Sequence, residues 1–591
     1  MKRFLSTSNG FLVLLLALWT IFNLLQGALT GLANDEAYYW VLSSDVGFGY
    51  YDHPPVFGWL IGLSTFIFGD SEFGIRALTI LLQPIYLYLF WRLIPLGRRT
   101  KILALTYFLA AFSIPLLQLY GFIVTPDAPL VFATALLLYC YKRFLGLEDN
   151  FSTRSILTSV ALGLSAALIC YAKYHGILVI GFIVLSNIRM LFAPRLYIAL
   201  LAGVVAFIPH LVWQSSHDWA SLVYHLSART TGFEASNLWI YIVNILTTFN
   251  PFFILFFFAL ILKRQKQNKE QLTPQENIER HFAMALKFIT WGFILFFLRS
   301  VSQVHVQAQW LIPLVFPVLY FLTMGAAKRV RLRGYILRVG AICGLLFVLV
   351  RVSIMSYADR LIQNELLNNH QYEEFTQSLS YRPFITNGNY VTASKMRFYG
   401  RNAAYAAPNV DSRSSHYEYM DMDSHLYMRP VAIEISDSVN LALTKQQKDS
   451  TFEFVKIHQY EIWYDTISNY IPSRDVVVEA QLPEKILASD SLPLDISMIN
   501  PYSFDIPLGQ GRDHFELFLH LRSKQNGIIR VPIALTQKTI PQHGRIKERV
   551  WIKLSRKIKT DEYDAGFTLM RYPYGSWFNS ERSKVLIVNP N

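Results

Sequence analysis

The sequence contains little cysteine and little charge. Only three cysteines occur in 591 residues, and Cys140, Cys170 and Cys343 all lie within apolar segments, without the spacing of metal ligands. This pattern argues against a disulfide framework and a zinc–thiolate site, so we expect three free, buried thiols. Charged residues make up 16% of the chain, whereas 53% of the residues are hydrophobic and 15% are aromatic. That composition predicts an integral membrane protein whose first partner is the lipid bilayer.

The formal net charge of +13 does not indicate a nucleic-acid partner. The basic residues stand in short groups between apolar segments, where Lys and Arg act as signals of membrane topology. We therefore expect no nucleic acid among the partners of this chain.

The apolar segments predict about eleven transmembrane helices, since each span needs roughly 20 apolar residues. They lie near residues 11–32, 74–95, 102–119, 126–145, 155–172, 175–192, 196–213, 238–262, 284–300, 308–326 and 334–356. Residues 55–68 are apolar but shorter, and Pro and Gly mark them, so we expect a juxtamembrane helix there. The first span follows Met1-Lys2-Arg3 and is long enough to stay as a helix rather than be removed as a signal peptide.

The connections between these spans differ in charge. One set carries 19 Lys and Arg residues, and the opposite set carries four, namely Arg76, Lys173, Arg229 and Arg299. The positive-inside rule places the first set, with the N-terminus, in the cytoplasm. We therefore expect a multi-pass protein of the plasma (inner) membrane whose C-terminal part lies outside, in the periplasm of a bacterium.

The C-terminal part has a different composition from the rest. Residues 357–591 are polar, rich in Gly, Pro and Asn, and free of any apolar run of 18 residues. FITNGNYV followed by ASKMRFYG predicts α/β character, and the alternation in VVVEAQL, HFELFLHL, IIRVPIAL and RVWIKLSR predicts strands. The sequence thus predicts a polytopic α-helical membrane domain over residues 1–356 and a soluble extracytoplasmic α/β or β-rich domain over residues 357–591.

The first predicted outer loop, residues 34–76, is the most polar stretch of the membrane half. It holds Asp35 and Glu36, then a Tyr-Tyr-Trp cluster that includes Tyr38, then a Tyr50-Tyr51-Asp52-His53-Pro54-Pro55 segment, and no Lys or Arg before Arg76. Acids beside stacking aromatics at a membrane surface suit a site for a sugar, a metal or a basic group. The alternative is an ordinary loop with an interfacial belt of aromatic residues.

Ionisable residues near the span ends gather on the predicted outer side. They are Asp35, Glu36, Asp52, His53, Asp127, Lys173, His175, His225, Arg229, Arg299 and His305. Because such groups are costly near lipid, they mark a functional cavity. We therefore predict one extracytoplasmic site in which Asp35, Asp52 and Asp127 meet.

Transfer of a group between two lipid-soluble partners at a membrane face needs a base for the acceptor hydroxyl, charge to hold the donor phosphate and a cation to neutralise the leaving phosphate. Asp35 is the first candidate for the base, with Glu36 and Asp127 as further catalytic acids, although Asp35 and Asp127 also suit helix capping. Lys173 can hold a phosphate, although a Lys at this place can also snorkel to the interface.

The remaining candidates bind substrate or metal. Asp52, His53 and His225 offer a carboxylate and two imidazoles, which suit Zn²⁺ or Mn²⁺, with Mg²⁺ a further candidate. The candidates for the donor phosphate and substrate are His175, Arg229, Arg299, Tyr38, Tyr51 and His305. For His305 the alternative is a simple interfacial anchor.

These motifs, taken in order, resemble a known superfamily. They are Asp-Glu-Ala-Tyr-Tyr-Trp after the first span, Gly-Tyr-Tyr-Asp-His-Pro-Pro, Phe-Gly-Asp-Ser-Glu-Phe-Gly-Ile-Arg, Thr-Pro-Asp at the fourth span and Lys-Tyr-His near the sixth. The set resembles the GT-C superfamily of membrane glycosyltransferases, and within it the aminoarabinose transferases of lipid A and the dolichyl-phosphate-mannose-protein mannosyltransferase-like enzymes.

The resemblance implies transfer of a sugar from a polyprenyl-phosphate carrier to an acceptor outside the cytoplasm, with inversion and without a nucleotide cofactor. It also implies that Asp35 is the catalytic residue and that Asp127, Lys173 and His225 match further family positions. Lipid A transferases usually carry Glu-Lys where this chain has Asp52-His53, and His is a poorer permanent cation than Lys.

The acceptor stays open between a membrane lipid or glycan and, as an alternative, Ser or Thr of proteins. A transporter or flippase of lipid-linked sugars is an alternative of another class. A flippase should carry ionisable residues near the middle of its spans, whereas the predicted site residues lie at one face. This distribution favours the enzyme.

Overall fold

The computed structural model describes residues 6–148, 150–225, 235–263, 273–361, 369–435, 447–448, 451–457, 460–488, 491–512, 514–523 and 525–589. The chain divides into two compact units, Met1–Asn368 and Asn369–Asn591. We call them the membrane unit and, after the location predicted from the sequence, the outer unit, and describe each by itself.

The regular elements in the described residues of the membrane unit are all helices. Its α-helices are α1 (Ser8–Leu29), α2 (Asn34–Leu42), α3 (Val56–Phe68), α4 (Glu72–Trp91), α5 (Lys101–Phe112), α6 (Pro115–Leu119), α7 (Asp127–Leu145), α8 (Thr153–Ala172), α9 (Gly176–Ser186), α10 (Pro194–Ser216), α11 (Ala220–Val223), α12 (Ala235–Thr248), α13 (Pro251–Leu262), α14 (Pro274–Ser300), α15 (Val315–Lys328) and α16 (Val330–Leu361). Short 3₁₀ helices are Leu96–Arg98, Ile188–Phe192 and Ala308–Leu314.

Eight helices in the described residues are long and apolar enough to cross a membrane, or nine if the bent pair α12–α13 counts as one span. The predicted polytopic helical membrane protein is confirmed, and the predicted juxtamembrane segment forms α3. Two of the eleven predicted spans are only short apolar helices, α5 and α9. At about 1.5 Å per residue, neither reaches the ~30 Å of a hydrocarbon core.

The short length of α5 has a local cause. Pro115 restricts the residue before it to extended backbone, and Ile114 has φ −87° and ψ 118°. The helix therefore ends at Phe112, and α6 begins anew at Pro115. The apolar run that the sequence suggested as one span is thus divided.

Small residues bring α8 and α10 together. A Cβ atom at Gly163 of α8 would lie 2.0 Å from the carbonyl oxygen of Ala199, and one at Gly203 of α10 would lie 3.0 Å from the carbonyl oxygen of Gly163. Glycine at this contact allows the close approach of backbones that membrane helices use for packing. Both helices end beside the candidate site described below.

The outer unit begins with two helices, α17 (His370–Ser378) and α18 (Tyr390–Phe398), and a five-stranded sheet of order β2-β1-β3-β5-β4. Its strands are β1 (Phe384–Asn387), β2 (Tyr405–Ala407), β3 (Val431–Glu434), β4 (Glu453–Ile457) and β5 (Tyr460–Ile467). β1 is parallel to both β2 and β3, and β5 is antiparallel to β3 and β4. The predicted α/β character is confirmed, with FITN as β1 and most of ASKMRFYG in α18.

The rest of the outer unit is β-rich, as predicted. Its strands are β6 (Val477–Glu479), β7 (Lys485–Leu487), β8 (Ser491–Ile499), β9 (Ile506–Pro507), β10 (Phe515–Ser523), β11 (Gly527–Ile533), β12 (Thr539–Ile540), β13 (Arg545–Lys553), β14 (Asp561–Arg571), β15 (Gly575–Phe578) and β16 (Ser583–Val588). One sheet has the order β11-β10-β14-β16-β7, with β15 also paired to β14, and another has the order β13-β8-β6. Alternating apolar side chains from these strands, such as Leu517, Leu519 and Leu521 of β10, form a continuous core.

Candidate active site

The candidate site lies where several helices of the membrane unit begin or end. Because α1, α8 and α10 run in one direction and α4, α7 and α9 run in the other, the C-terminal ends of the first three meet the N-terminal ends of the second three. The first loop, residues 30–71, crosses this face and contains α2 and α3. The residues that the sequence singled out lie on these ends and in this loop.

Glu36 and Arg76 form a fully buried ion pair at this face. Both side chains are 0% exposed; Arg76 Nε donates to Glu36 Oε1 at 2.8 Å, and Nη2 donates to Oε2 at 2.5 Å. The other guanidinium hydrogens reach the carbonyl oxygens of Gly27, Thr30 and Gly31 at 2.7–3.0 Å. The N–H groups of the Arg76 guanidinium are therefore all hydrogen-bonded, as a buried ion pair requires.

The carboxylate of Glu36 also joins two of the sequence motifs. It accepts the backbone N–H of Ala33 at 2.9 Å, which fixes the start of α2, and the backbone N–H of Val124 at 2.8 Å. Val124 opens the Val-Thr-Pro-Asp segment that leads into α7. These bonds hold the start of α2, and with it the neighbouring Asp35, against the segment that carries Asp127.

Asp127 and Lys173 form a second buried ion pair. Lys173 Nζ lies 2.7 Å from Asp127 Oδ1, and the side chains are 8% and 5% exposed. Asp127 is the first residue of α7 and Lys173 is the residue that ends α8, so the pair joins two opposite helix ends. The sequence proposed both residues separately, and the structure brings them together.

Asp35 lies on the accessible side of the same site. Its side chain is exposed, in contrast to that of Glu36. Burial raises the pKa of the Tyr120 phenol well above its ordinary value, and the carboxylates of Asp127 and Asp35 both raise it further. Tyr120 is therefore within electrostatic reach of both aspartates.

Asp52 is linked to this group through Tyr174, which follows Lys173. Burial raises the pKa of the Tyr174 phenol, the side chains of Ser221 and Gln214 lower it, and the Asp52 carboxylate raises it. Asp35 and Asp127 thus lie near Tyr120, and Asp52 lies near Tyr174, which follows Lys173 in the chain. That the three aspartates share one pocket stays a prediction.

The first loop is fastened to α10 and α11. The His210 Nδ1 atom lies 2.6 Å from the carbonyl oxygen of Phe48, and its Nε2 atom lies 3.2 Å from the Tyr174 hydroxyl. The Gln214 amide donates to the same hydroxyl at 2.7 Å, and the Ser221 hydroxyl donates to the carbonyl oxygen of Tyr50 at 2.5 Å. These contacts hold the acidic loop over the end of α8.

The three proposed metal ligands are neighbours. Asp52 and His53 are buried, the rings of His53 and His225 lie 6.2 Å apart, and His225 Nε2 donates to the main-chain carbonyl of Asp52 at 2.9 Å. Across the part of the chain that the structure describes, no group of three or more His, Cys, Asp or Glu side chains has the arrangement of a metal site. The donor types suit a divalent cation, so a metal here stays a prediction.

The two proposed substrate-binding tyrosines, Tyr38 and Tyr51, lie in α2 and in the loop that follows it. Tyr38 is 1% exposed, and its ring centroid lies 5.8 Å from that of Tyr39. Tyr51 is half-buried, and its ring lies 5.2 Å from that of Tyr224. Tyr51 therefore has the better access to a ligand.

The other predicted phosphate candidates differ in position. His175 precedes α9, and its ring packs 5.4 Å from both Phe297 and Trp310. Arg299 is exposed and donates to the Ser302 hydroxyl at 2.6 Å in its own helix end, and His305 is exposed. Arg229 lies outside the described residues.

His210 and Gln214 were not among the site residues predicted from the sequence. Both are buried, and they stand four residues apart on α10, so they share one face of that helix. Polar residues at this spacing within an otherwise apolar span are a signal that could have identified them.

A second set of polar residues inside the membrane unit was also missed. Arg351 of α16 is buried, and its guanidinium donates to the side-chain oxygens of Gln26, Gln118 and Asn23. Its charge also lies 5.1 Å from the ring of Phe122, which Arg76 approaches at 5.8 Å from its own position. The ring of Phe122 is therefore close both to Arg351 and to Arg76 of the Glu36–Arg76 pair.

Comparison with known proteins gives one family match. Residues 52–213 match the family described as dolichyl-phosphate-mannose-protein mannosyltransferase. No curated protein matched the chain by sequence.

Solved structures show the same fold. ArnT from Cupriavidus metallidurans bound to undecaprenyl phosphate has a TM-score of 0.53 and 13% sequence identity, over 77% of this chain and 98% of ArnT. The apo state of that protein has a TM-score of 0.53 and 12% identity, over 77% and 97% of the two chains.

A third structure is more distant. The oligosaccharyltransferase AglB from Archaeoglobus fulgidus, in complex with an inhibitory peptide and a dolichol-phosphate, has 11% identity over 96% of this chain and 97% of AglB, with a TM-score of 0.36. The family match over residues 52–213 and the fold shared with ArnT confirm the resemblance that the ordered motifs predicted, which is to the GT-C superfamily of membrane glycosyltransferases.

Proposed function

We propose that this protein transfers a sugar from a polyprenyl-phosphate-linked donor to a membrane lipid or glycan acceptor, with inversion at the anomeric carbon. The observation that carries the proposal is the buried Asp127–Lys173 pair at 2.7 Å, set beside the exposed Asp35 at one face of a helical membrane unit. The neighbouring fold of ArnT bound to undecaprenyl phosphate supports this class of donor.

Asp35 takes the role of general base. It is exposed, so an acceptor hydroxyl can reach it, and it lies near the buried charges rather than within them. The acceptor oxygen attacks the anomeric carbon from the side opposite the phosphate, and Asp35 accepts the hydroxyl proton. The bond between the anomeric carbon and the phosphate oxygen breaks, and polyprenyl phosphate leaves with the electron pair.

Lys173 and Asp127 serve the phosphate side of the reaction. The ammonium group of Lys173 stabilises the negative charge that grows on the leaving phosphate, and Asp127 holds this ammonium in place in a buried setting. Tyr51 and His175, with Arg229, Arg299 and His305, are further groups for the donor. Tyr38 lies deeper and supports α2.

Glu36 acts as a positioning residue in this proposal. Its carboxylate is engaged by Arg76 and by two backbone N–H groups. It therefore holds Asp35 against the segment before Asp127. The acids that adjoin each other in the sequence take different parts in the mechanism.

A divalent cation at Asp52, His53 and His225 is part of the proposal. Carboxylate and imidazole ligands suit Zn²⁺ or Mn²⁺, and a cation there would supply positive charge to the donor phosphate. His225 can act as a ligand once its bond to the carbonyl of Asp52 is exchanged.

The acceptor and the location complete the proposal. The match to the dolichyl-phosphate-mannose-protein mannosyltransferase family favours Ser or Thr of a protein as the second candidate acceptor. We place the protein in the plasma (inner) membrane, with the N-terminus in the cytoplasm and the site and the outer unit on the opposite side, because of the unequal distribution of Lys and Arg.

Mass spectrometry of the purified protein with its native lipids tests the proposal. The wild type should convert a polyprenyl-phosphate sugar to polyprenyl phosphate, and Asp35→Asn should lose this activity. Asp70→Asn is the matched control in the same loop, because Asp70 accepts a hydrogen bond from the Trp40 indole at 2.8 Å and an amide oxygen keeps that bond. Equal turnover in wild type and Asp35→Asn would remove Asp35 from the base role.

A further inference from the structure

The solvent face of β13 is basic. β13 pairs with β8, and its apolar residues, such as Val550 and Ile552, enter the core of the outer unit. Every second residue of a strand faces the other side of the sheet. On β13 these residues are all exposed, namely Arg545, Lys547, Arg549, Trp551 and Lys553. We call these five side chains the basic face, and along the strand they extend over about 27 Å.

The positive charge of the outer unit is concentrated at this place. Residues 369–591 contain 26 Lys and Arg and 25 Asp and Glu, so the unit as a whole is almost neutral. Residues 538–559, which include β13 and the loop after it, contain eight of these basic residues and one of these acids. The remainder of the unit is therefore negative. A surface with this uneven charge attracts an anionic partner, and the attraction depends on salt.

Protection of a sheet edge does not by itself explain this pattern. β13 is an edge strand of the β13-β8-β6 sheet, and charged residues on an edge strand prevent pairing with other chains. That role requires charge, but it requires neither one sign at four positions nor an exposed tryptophan. Trp551 is 63% exposed between Arg549 and Lys553. The composition therefore indicates a binding surface.

Two acids on the neighbouring strands pair weakly with the basic face. Arg545 lies 3.5 Å from Glu479 of β6, and Arg549 lies 3.8 Å from Asp495 of β8. All four side chains are about half exposed or more, and exposed ion pairs contribute little to stability. A phosphate group can therefore replace either acid at low cost.

The shape of the basic face favours a lipid surface over a glycan. A site that recognises a sugar is concave and has convergent hydrogen-bonding groups, whereas these side chains stand in a row on one face of an extended strand. At a membrane interface, tryptophan rings lie at the level of the headgroups and basic residues meet anionic lipids. Pro493 lies opposite Trp551 in the strand register and is exposed as well, which widens the apolar part of the face.

We propose that the basic face binds the anionic headgroups of a phospholipid bilayer. Its four basic side chains contact the lipid phosphates, and the Trp551 ring enters the headgroup layer. Because the same chain has helices suited to cross a membrane, lipid headgroups are always available to it. The inference concerns the outer unit and does not depend on the transferase activity.

Flotation of the full chain with lipid vesicles tests the proposal. The protein is held in nanodiscs of neutral phosphatidylcholine. The added vesicles contain either phosphatidylcholine alone or equal amounts of phosphatidylcholine and phosphatidylglycerol. We expect the protein to float with the anionic vesicles and not with the neutral ones, and empty nanodiscs to float with neither. Raised salt should weaken the binding, because it screens the charges.

Charge reversal locates the binding surface. Lys547→Glu with Lys553→Glu should weaken binding at least about tenfold, because two attractions to the anionic surface become repulsions. Lys485→Glu with Lys584→Glu is the matched control, since it changes the net charge equally at exposed positions of β7 and β16. The control should bind like the wild type.

Acetylation of lysines, measured by mass spectrometry, gives a readout at single residues. Anionic vesicles should protect Lys547 and Lys553 from acetylation and leave Lys485 and Lys584 reactive. Polygalacturonate, an acidic polysaccharide, and inorganic phosphate are the alternative anions. Each should protect Lys547 and Lys553 less than the vesicles do.

Four results would overturn the proposal. They are equal flotation with neutral and anionic vesicles, wild-type binding by the Lys547→Glu, Lys553→Glu protein, equal protection of all four lysines, and protection by polygalacturonate or phosphate as strong as that by the vesicles. Asp35→Asn should bind the vesicles like the wild type, so a failure here is distinguishable from a failure of the proposed transfer reaction.

Discussion

Replacing Glu36 with Gln should destabilise the membrane unit and reduce turnover together. The Glu36 carboxylate accepts four hydrogen bonds in a fully buried place, two from Arg76 and one each from the backbone N–H groups of Ala33 and Val124. A Gln amide offers one acceptor oxygen, and its NH₂ group must face a donor. The charge of Arg76 would then lie buried without a carboxylate.

The size of the effect follows from the burial. Removing one partner of a buried ion pair costs about 3–5 kcal/mol, because the remaining charge is left uncompensated. The loss of the bond to Val124 would also release the segment that carries Asp127 from α2. We therefore expect lower turnover from displaced groups, not from a lost proton acceptor.

The assay pairs thermal unfolding in nanodiscs with turnover of the polyprenyl-phosphate sugar. Glu72→Gln is the control, because Glu72 lies in the first turn of α4, the helix that carries Arg76, and is only half-buried; it should change stability by less than about 0.5 kcal/mol. A Glu36→Gln protein with the unfolding temperature of the wild type would refute this reasoning. If such a protein also lacked turnover, Glu36 would have the catalytic role that the sequence suggested.

Three other predictions concern different groups. Asp127→Asn should lower the free energy of unfolding by about 3–5 kcal/mol, because Lys173 is left buried without its counter-charge. The double variant Asp127→Asn with Lys173→Met should regain the unfolding temperature but not the turnover. Additive losses of stability in the double variant would contradict the pairing. His520 is 0% exposed, and burial lowers its pKa from 6.5 to about 4. Below pH 6.5 the unfolded chain therefore binds a proton that the folded chain does not bind. The free energy of unfolding of the outer unit should fall by up to about 3 kcal/mol between pH 6.5 and 4. His520→Leu should flatten this pH dependence in hydrogen exchange of the outer unit, and an unchanged profile would contradict it. Chelation should reduce turnover if the acidic loop holds a cation, and added Zn²⁺ or Mn²⁺ should restore it; turnover indifferent to chelator would end the metal proposal.

The general architecture could be predicted because the apolar runs and the direction of the helices determine it. Long runs give most of the spans, and the imbalance of Lys and Arg assigns the acids at the span ends to one face. Asp127 and Lys173 stand 46 residues apart, yet both fall at span ends of that face, and the structure joins them. The predicted fold class is confirmed for the same reason.

The different roles proposed for Asp35 and Glu36 could not be predicted from the sequence. The two acids are adjacent, and only the fold shows that Arg76 approaches one of them from a separate helix. The short lengths of α5 and α9 were missed because hydropathy averages over the interruption at Ile114 and the helix end at Ser186.

The amide groups around Arg351 were missed for a related reason. Asn23, Gln26 and Gln118 come from the first and third apolar runs of the sequence, and each is a single polar residue that the run tolerates. Their meeting is visible only once the helices pack. A buried arginine inside a span is costly unless other side chains hydrogen-bond to it. Such a residue therefore indicates polar partner side chains better than hydropathy does.

The most direct test of the central claim is a cryo-electron microscopy map of the full chain in nanodiscs with polyprenyl phosphate. The account predicts phosphate density beside Lys173, between the Asp127 carboxylate and the Tyr51-Asp52-His53 loop, with Asp35 open to the same space. Phosphate density at the opposite ends of these helices, or a map in which Asp35 and Asp127 face different compartments, would contradict it.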